Sequence, residues 1–216
     1  MILIPVKNLD YAKQRLASLL DQLTRTKLAH AMLSDVLEAV SACPSHPEVS
    51  IVTSDTFAVE LARTFNFQVI TDTANRSETD AIEMATRICE QRGISSTLVI
   101  PADIPLIQPS ELEQVLQAAP DEGTVLVPAA DGRGTNAVLR NPANLFPLRF
   151  GNDSFKPHLE AARATNRPCT VLQLPGIALD IDNRSDLREL ADTPGKSRAQ
   201  QLVRQWNLNE LPLAVN

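Results

Sequence analysis

The amino-acid sequence predicts a three-layer α/β/α fold with a mainly parallel sheet and a small antiparallel addition. Apolar, strand-like runs alternate with amphipathic, helix-like runs from the first residue to Gly123. This alternation is typical of βαβ units, whose helices cover both faces of a parallel sheet. After Gly123 two strand-like runs follow each other without a full helix between them, which predicts the antiparallel part.

The first half of the chain predicts strands that are each followed by a helix. The longest helix is indicated by Leu28, Met32, Val36 and Val40, which recur every four residues. Another helix opens at Pro109, because a proline in the first turn costs no hydrogen bond. The predicted strands are residues 1–6, 49–53, 67–70 and 97–100, and the helices before Pro109 are residues 24–42, 57–64 and 80–91.

The second half of the chain predicts a more mixed set of elements. The predicted strands are residues 125–127, 136–139, 170–174 and 177–182, and the predicted helices are residues 153–164, 185–190 and 196–206. The first two of these strands fit a hairpin. With 216 residues and no repeat, low-complexity tract or linker, the sequence fits one domain over residues 1–216.

Composition excludes several classes of protein. The net charge of −6 argues against nonspecific binding of nucleic acid, which needs a basic surface. No apolar run approaches the roughly 20 residues that span a bilayer, so no membrane association is expected. The apolar start lacks a preceding basic segment and predicts a strand, not a signal peptide. Cys43, Cys89 and Cys169 are far apart, which argues against zinc or disulfides and favours the reducing cytoplasm.

Basic residues follow the first predicted strand. Lys7, Lys13 and Arg15 lie in a stretch that joins this strand to the first long helix. A loop at this place holds phosphates in α/β nucleotide-binding proteins. The sequence contains neither GxGxxG nor a Walker A motif, so a dinucleotide site or a P-loop is not supported. The alternative interpretation is a solvated basic surface.

Acidic residues occur where two later strands are predicted to end. Asp103 follows the buried strand 97–100, and Mg²⁺ prefers oxygen ligands of this kind together with substrate phosphates. Asp180 and Asp182 would share one face of a strand, with Ile181 packed behind them. The alternative interpretations are that Asp103, Asp182 or Asn183 caps the helix that follows it.

A third group of residues predicts a pocket for a small anion. Gly134 allows a close approach of the backbone, and Thr135 and Asn136 supply neutral donors. Ser154 lies near the start of a helix, where backbone N–H groups favour an anion, and His158 lies one turn further on. The alternative is a simple turn followed by a capped helix.

These residues together resemble the 2-phospho-L-lactate guanylyltransferase family of coenzyme F-420 biosynthesis. That family is a branch of the molybdenum-cofactor guanylyltransferase-like nucleotidyltransferases. The segments that carry the resemblance, in chain order, are Pro5-Val6-Lys7, Ala12-Lys13 with Arg15-Leu16, Ala102-Asp103-Ile104-Pro105-Leu106, Gly134-Thr135-Asn136-Ala137, Phe150-Gly151 with Ser154-Phe155 and His158, and Asp180-Ile181-Asp182. The resemblance therefore extends from residue 4 to residue 182.

The resemblance implies one nucleotidyltransferase domain with a Rossmann-like sheet. It implies transfer of GMP from GTP to 2-phospho-L-lactate, phosphoenolpyruvate or 3-phospho-D-glycerate, with release of pyrophosphate. Mg²⁺ would be held by Asp103, Asp180 and Asp182, and the catalytic residues would be Asp103, Lys7 and Arg15. The acceptor would contact Thr135, Asn136, Gly151, Ser154 and His158. The nucleotide would contact Pro5, Lys7, Lys13, Arg15, Thr79 and Ala102.

One segment departs from the family's pattern. Where members commonly show a Leu-Asn pair, this chain has Ser77-Glu78-Thr79-Asp80, with Thr79 in the place of the Asn. The departure affects which contacts to the base and the ribose can be carried over from the family, and which acceptor is preferred. Three alternatives stay open, namely a cytidylyl- or molybdopterin-type nucleotidyltransferase, a non-catalytic nucleotide-binding module and a sugar-type transferase. A homodimer is one option for the oligomeric state.

Overall fold

The strands and helices follow one another in nearly the predicted order. A computed structural model describes residues 1–73 and 76–206, so the last ten residues of the predicted domain 1–216 lie outside the described residues. The strands are β1 (Ile2–Val6), β2 (Val49–Thr53), β3 (Gln68–Thr71), β4 (Thr97–Val99), β5 (Gly123–Pro128), β6 (Thr135–Asn141) and β7 (Cys169–Val171). The helices are α1 (Gln22–Ala42), α2 (Thr56–Thr64), α3 (Glu78–Gln91), α4 (Pro109–Gln117), α5 (Phe155–Ala164), α6 (Pro175–Ala178), α7 (Arg184–Asp192) and α8 (Arg198–Arg204).

The strands form one sheet in the order β3-β2-β1-β4-β6-β5-β7. β1 pairs in parallel with β2 and β4, whereas β6 runs antiparallel to β4 and to β5. The mainly parallel sheet with an antiparallel addition is confirmed. Because β6 is reversed, its first residue, Thr135, lies at the edge where β1 and β4 end. The reversal therefore brings a strand start to the edge at which parallel α/β sheets bind ligands.

Side chains of successive residues in β1 enter two different cores. Ile2 and Ile4 belong to a core with the buried residues of α1, α2, α4, α7 and α8. Leu3 points the other way and packs with the buried residues of α3 and α5. Helices thus cover both faces of the sheet, which confirms the three layers. Within the described ranges, no helix has the length and apolar character of a membrane span.

The strand predicted over residues 177–182 is wrong. Residues 175–178 form the short helix α6, and residues 179–182 are extended without a strand partner. Pro175 opens this helix, and Glu111 Oε1 accepts a hydrogen bond from the Gly176 amide at 2.7 Å. After the helix the chain crosses the sheet edge, where the Ile181 amide donates to the Asp103 carbonyl oxygen at 3.2 Å. The Ile181 amide thus bonds to a loop residue and not to a neighbouring strand, so no strand forms.

The connection between β6 and α5 is organised around a buried arginine. Arg140 is fully buried, and its Nη1 donates to the Phe146 carbonyl oxygen at 2.5 Å. Its Nη2 donates to Thr86 Oγ1 at 3.0 Å, and Glu83 Oε1 lies 3.7 Å from Nη1. Burial lowers the pKa of Arg140 to about 10, and nearby acidic residues partly offset this effect. The guanidinium therefore joins α3 to the connection that leads to the sheet edge.

Replacing Arg140 by methionine should lower the free energy of unfolding by about 3 kcal/mol, because the partners of a buried charged group are left unsatisfied. Urea denaturation followed by circular dichroism measures the change. Arg188→Met, on an exposed position of α7, is the matched control and should change stability by less than about 0.5 kcal/mol. Equal stability of the two variants would contradict the role given to Arg140.

Candidate active site

Two adjoining clefts open at the edge of the sheet where β1 and β4 end. One has a volume of about 510 Å³ and reaches toward the start of β6 and of α5. The other has a volume of about 460 Å³ and lies between the loop after β1 and helix α1. Arg15, Glu78, Pro101, Asp103 and Asp182 line both clefts. Arg15, Asp103 and Asp182 of the predicted site thus lie at the junction of the two clefts.

Three carboxylates meet at this junction, as the sequence predicts. The Lys13 ammonium donates to Asp103 Oδ2 and, at 3.1 Å, to Asp182 Oδ1. Asp180 lies beside them, and its Oδ1 accepts a hydrogen bond from Asn136 Nδ2 at 3.1 Å. The Ile181 backbone bond to Asp103 fixes the segment that carries the two later acids against the end of β4. Residues separated by as many as 169 positions are therefore held in one group.

The electrostatics of this group favour a cation between the acids. Burial acts to lower the pKa of Lys13, but the charges of Asp103 and Asp182 outweigh it and raise that pKa above its usual value. Burial acts to raise the pKa of Asp182, yet Lys13 and Arg15 bring it below the ordinary value. Burial raises the pKa of Asp180, whose amide partner carries no charge. The lysine forms direct ion pairs with Asp103 and Asp182, and Asp180 feels its charge without a direct pair.

The donor set fits Mg²⁺ by its chemistry. Three carboxylates with a side-chain amide beside them are hard oxygen donors of the kind that Mg²⁺ prefers. The Lys13 side chain, only 7% exposed, supplies the positive charge between Asp103 and Asp182. Among residues 1–73 and 76–206, no three Asp, Glu, His or Cys side chains are already spaced around a metal position. The position between Asp103 and Asp182 is therefore taken by the Lys13 ammonium in this structure.

Glu78 is a site residue that the sequence interpretation missed. It lies at the first position of α3, after the N-cap Ser77, and lines both clefts. Burial, and then the charge of Asp103, raise the pKa of Glu78 to about 7, against the opposing charges of Lys7 and Lys13. The sequence did hold a signal for it. The segment Ser77-Glu78-Thr79-Asp80 departs from the family's pattern, and Glu78 is the residue of this segment that lines both clefts.

The three cations of the basic loop after β1 form ion pairs with acidic residues. Lys7 Nζ lies 2.7 Å from Asp72 Oδ2, which is almost fully buried. Arg15 Nη1 lies 2.5 Å from Asp182 Oδ2, and its Nη2 donates to Asn152 Oδ1 at 2.7 Å. Arg15 is the most exposed of the three cations and spans both clefts. The solvated basic surface considered as an alternative is therefore not what forms.

Most of the predicted nucleotide contacts lie in one cleft. The residues of this prediction that line the 460 Å³ cleft are Pro5, Lys7, Lys13, Arg15 and Ala102. Thr79 is absent from the described lining of both clefts. Its hydroxyl oxygen instead accepts a hydrogen bond from the Phe150 amide at 3.0 Å. Thr79 thus fixes the backbone of Phe150, which lines the 510 Å³ cleft. The structure does not place Thr79 as a direct nucleotide ligand.

Most of the predicted acceptor contacts lie in the other cleft. Thr135, Asn136, Gly151 and Ser154 line the 510 Å³ cleft. Gly151 has a φ of 127°, a conformation that side chains rarely adopt, and this lets the backbone turn at the cleft wall. His158 is absent from the lining, because it is 1% exposed and lies behind Thr135. Its predicted direct contact with the acceptor is therefore not what the structure shows.

Asn136 lines the 510 Å³ cleft and also holds the segment around Asp180 in place. Its Nδ2 group donates to the carbonyl oxygens of Ile177 and Ala178 at 3.0 and 2.9 Å, as well as to Asp180. One amide thus anchors the segment that carries Asp180 to the start of β6. The position of the acid depends on this residue directly.

The structure shows which of the three proposed residues caps a helix. Helix α4 begins at Pro109 with Gln108 as its N-cap, so Asp103 caps no helix. Asn183 is the N-cap of α7, and its side chain accepts from the amides of Ser185 and Asp186. Asp182 instead directs its carboxylate to Lys13 and Arg15. The capping interpretation therefore holds for Asn183 only.

Comparison with known proteins identifies relatives along almost the whole chain. The profile of the family described as "Guanylyl transferase CofC like" matches residues 1–209. A phosphoenolpyruvate guanylyltransferase of Roseiflexus castenholzii is 34% identical over 204 residues, which cover 94% of this chain and 93% of the relative. A 3-phospho-D-glycerate guanylyltransferase of Colwellia psychrerythraea is 34% identical over 191 residues, which cover 88% and 90%.

The fold is also shared with solved structures. A putative nucleotide-diphospho-sugar transferase from Desulfovibrio desulfuricans G20 superposes with a TM-score of 0.77 at 18% identity, over 94% of this chain and 93% of that one. At this identity the likeness concerns the sheet and helices alone. The profile match and the sequence identity to the guanylyltransferases assign the family as well as the fold. Both agree with the resemblance found in the sequence. The chain belongs to the CofC-like guanylyl transferase family.

Proposed function

We propose that this protein transfers GMP from GTP to a phosphorylated three-carbon acid and releases pyrophosphate. The observation that carries the proposal is the junction of two clefts at Asp103 and Asp182, both of which pair with Lys13. A nucleotidyl transfer needs two anionic substrates to meet, and charged groups must neutralise them where they meet. A group of one cation and three acids between two clefts supports this reaction.

The 460 Å³ cleft is the proposed nucleotide site. It combines the apolar side chains of Leu9, Ala29 and Met32 with the ammonium groups of Lys7 and Lys13. Apolar surface suits a base, and lysines suit the triphosphate. Arg15 stands where this cleft meets the next one, so it can contact phosphates from either side.

The 510 Å³ cleft is the proposed acceptor site. Its wall offers the hydroxyls of Thr135 and Ser154, and the backbone around Gly151. Arg15 and Arg133 add positive charge at its rim. The acceptor class is a small acid that carries both a phosphate and a carboxylate. Relatives are named for phosphoenolpyruvate and for 3-phospho-D-glycerate, and the sequence resemblance adds 2-phospho-L-lactate and the coenzyme F-420 pathway.

In the proposed reaction, an oxygen of the acceptor's phosphate attacks the α-phosphorus of GTP, and the bond from that phosphorus to the pyrophosphate breaks. The phosphate is already an anion at neutral pH, so no strong general base is needed. This agrees with the placement of His158 behind the cleft wall. Lys7, Lys13 and Arg15 stabilise the charge of the departing pyrophosphate.

Asp103, Asp180 and Asp182 are the residues that would hold Mg²⁺. When bound, the ion supplies positive charge that orients the phosphates and stabilises the transition state. The chain's own part is to keep the acids in place, through Asn136 on Asp180 and the backbone bond between Ile181 and Asp103. Lys13 would exchange its carboxylate partners for the triphosphate.

A substrate panel tests the proposed function. Pyrophosphate release is measured with Mg²⁺, one of GTP, CTP or ATP, and each of the three acids in turn. We expect turnover with GTP and at least one of the acids. Turnover with CTP alone would favour the cytidylyl alternative, and binding of nucleotide without turnover would favour the non-catalytic module. Either result would contradict the proposal.

Replacing Asp103 by asparagine should reduce kcat by at least roughly 100-fold, because the ion that would stabilise the transition state loses an anionic ligand. Thermal denaturation should show a folded protein. Asp121→Asn, at an exposed position before β5, is the matched control and should keep the rate. A kcat within about twofold of the unmodified protein in saturating Mg²⁺ would show that Asp103 is not a catalytic residue.

Replacing Lys13 by methionine should uncover the metal site. Without the ammonium, Asp103 and Asp182 lose their shared cation, so the variant alone should unfold at a lower temperature than the unmodified protein. Adding Mg²⁺ should raise its melting temperature more than that of the unmodified protein, since the ion no longer competes with Lys13. Lys156→Met on the surface of α5 is the control. A variant that does not respond to Mg²⁺ would contradict the assigned metal residues.

A further inference from the structure

A row of side chains supports the acceptor cleft from behind. The backbone amides of residues 148, 149 and 150 each donate to a different side chain. The acceptors, in order, are Glu83 Oε1 at 3.0 Å, His158 Nε2 at 2.8 Å and Thr79 Oγ1 at 3.0 Å. Three successive amides held by side chains from α3 and α5 fix the chain immediately before Gly151.

The bond from the Arg149 amide determines the tautomer of His158. A backbone amide can only donate, so Nε2 must present a lone pair to it. The proton of the neutral ring is then on Nδ1, which lies 3.0 Å from Thr135 Oγ1 and donates to it. Burial, and then the charge of Arg140, lower the pKa of His158 to about 4, which agrees with a neutral ring.

The bond from His158 in turn constrains the hydroxyl of Thr135. Thr135 Oγ1 also accepts a hydrogen bond from Ser154 Oγ at 3.2 Å. A hydroxyl has two lone pairs and one proton, so both acceptor positions are filled and the proton must point elsewhere. Thr135 lines the 510 Å³ cleft, and the free direction for its proton is toward that cleft. The hydroxyl is thereby prepared to donate to an anion.

We propose that His158 is a positioning residue for the acceptor: its Nδ1 directs the Thr135 hydroxyl into the cleft, and its Nε2 holds the backbone that leads to Gly151. The inference rests on the acceptor role proposed for this cleft. His158 itself does not reach the ligand. It acts through a hydroxyl and a backbone segment that both line the site, and the ligand class is the phosphate or carboxylate of the acceptor acid.

Two substitutions separate the two bonds of the ring. In His158→Gln the amide oxygen can replace Nε2 as the partner of the Arg149 amide, while the bond to Thr135 is lost. In His158→Asn the amide nitrogen can replace Nδ1 as the donor to Thr135, while the other bond is lost. His46→Gln, in the loop before β2 at the opposite edge of the sheet, is the matched control.

His158→Gln should raise the acceptor's KM by about tenfold, which is what one misdirected hydrogen bond to a charged group is worth, and should leave the KM for GTP within about twofold. His158→Asn should have a smaller effect on the acceptor's KM, and the control none. A general structural defect would raise both KM values or lower kcat alone. Either of those patterns would overturn the positioning role.

A double-mutant cycle with Thr135→Val tests the route of the effect. Once the Thr135 hydroxyl is absent, His158→Gln should change the acceptor's KM by less than about twofold. An effect of the same size in both backgrounds would overturn the inference, because His158 would then act by another route.

The ring itself can be observed in the unmodified protein by nitrogen-15 NMR at pH 7. The expected result is a neutral ring with its proton on Nδ1, and a proton on Nε2 or a charged ring would overturn the inference whether or not the variants fold. The two proposals fail separately. Absence of transfer to all three acids contradicts the proposed function, whereas the wrong tautomer contradicts the positioning role.

Discussion

The ion pairs of Lys13 with Asp103 and Asp182 join three segments that are far apart in the sequence. One segment follows β1, the second follows β4 and the third precedes α7. Charges that are largely removed from water must be compensated, and here they compensate one another. Lys13 therefore holds Asp103 and Asp182 together at the sheet edge. Under the proposed function these pairs are also the contacts that substrates and a metal ion would replace.

The reversed strand β6 explains how the acceptor cleft comes to adjoin this group. If β6 ran parallel to β4, Thr135 and Asn136 would lie at the opposite edge of the sheet. In the antiparallel register, Val138 pairs with Val99, so the start of β6 lies beside the residues that follow β4. Asn136 then reaches the segment of Asp180 with its amide. The antiparallel addition is thus the part of the fold that links the three acids to the wall of the proposed acceptor cleft. The membership in a guanylyl transferase family agrees with a site built for two anionic substrates.

Local pattern was sufficient for most of the fold, because buried strands and amphipathic helices depend on residues near in sequence, whereas the grouping of the three acids was expected from the resemblance to the family. The strand prediction for residues 177–182 failed because buried and half-buried residues alternate there without a strand partner, and strand pairing is not decided by local pattern. The roles of Thr79 and His158 could not be read from their neighbours, since each binds a backbone amide in a distant part of the fold. Glu78 was overlooked because its position is set by the start of α3 and not by a motif.

The central claim is that Asp103, Asp180 and Asp182 share one divalent ion and that Lys13 leaves them when substrate binds. A crystal structure with Mn²⁺ and a non-hydrolysable GTP analogue, with the metal located by anomalous scattering, tests it most directly. The account predicts one metal peak with oxygens of all three residues within about 2.3 Å, and the Lys13 ammonium on the phosphates. A metal bound away from these carboxylates, with Lys13 still between Asp103 and Asp182, would contradict it.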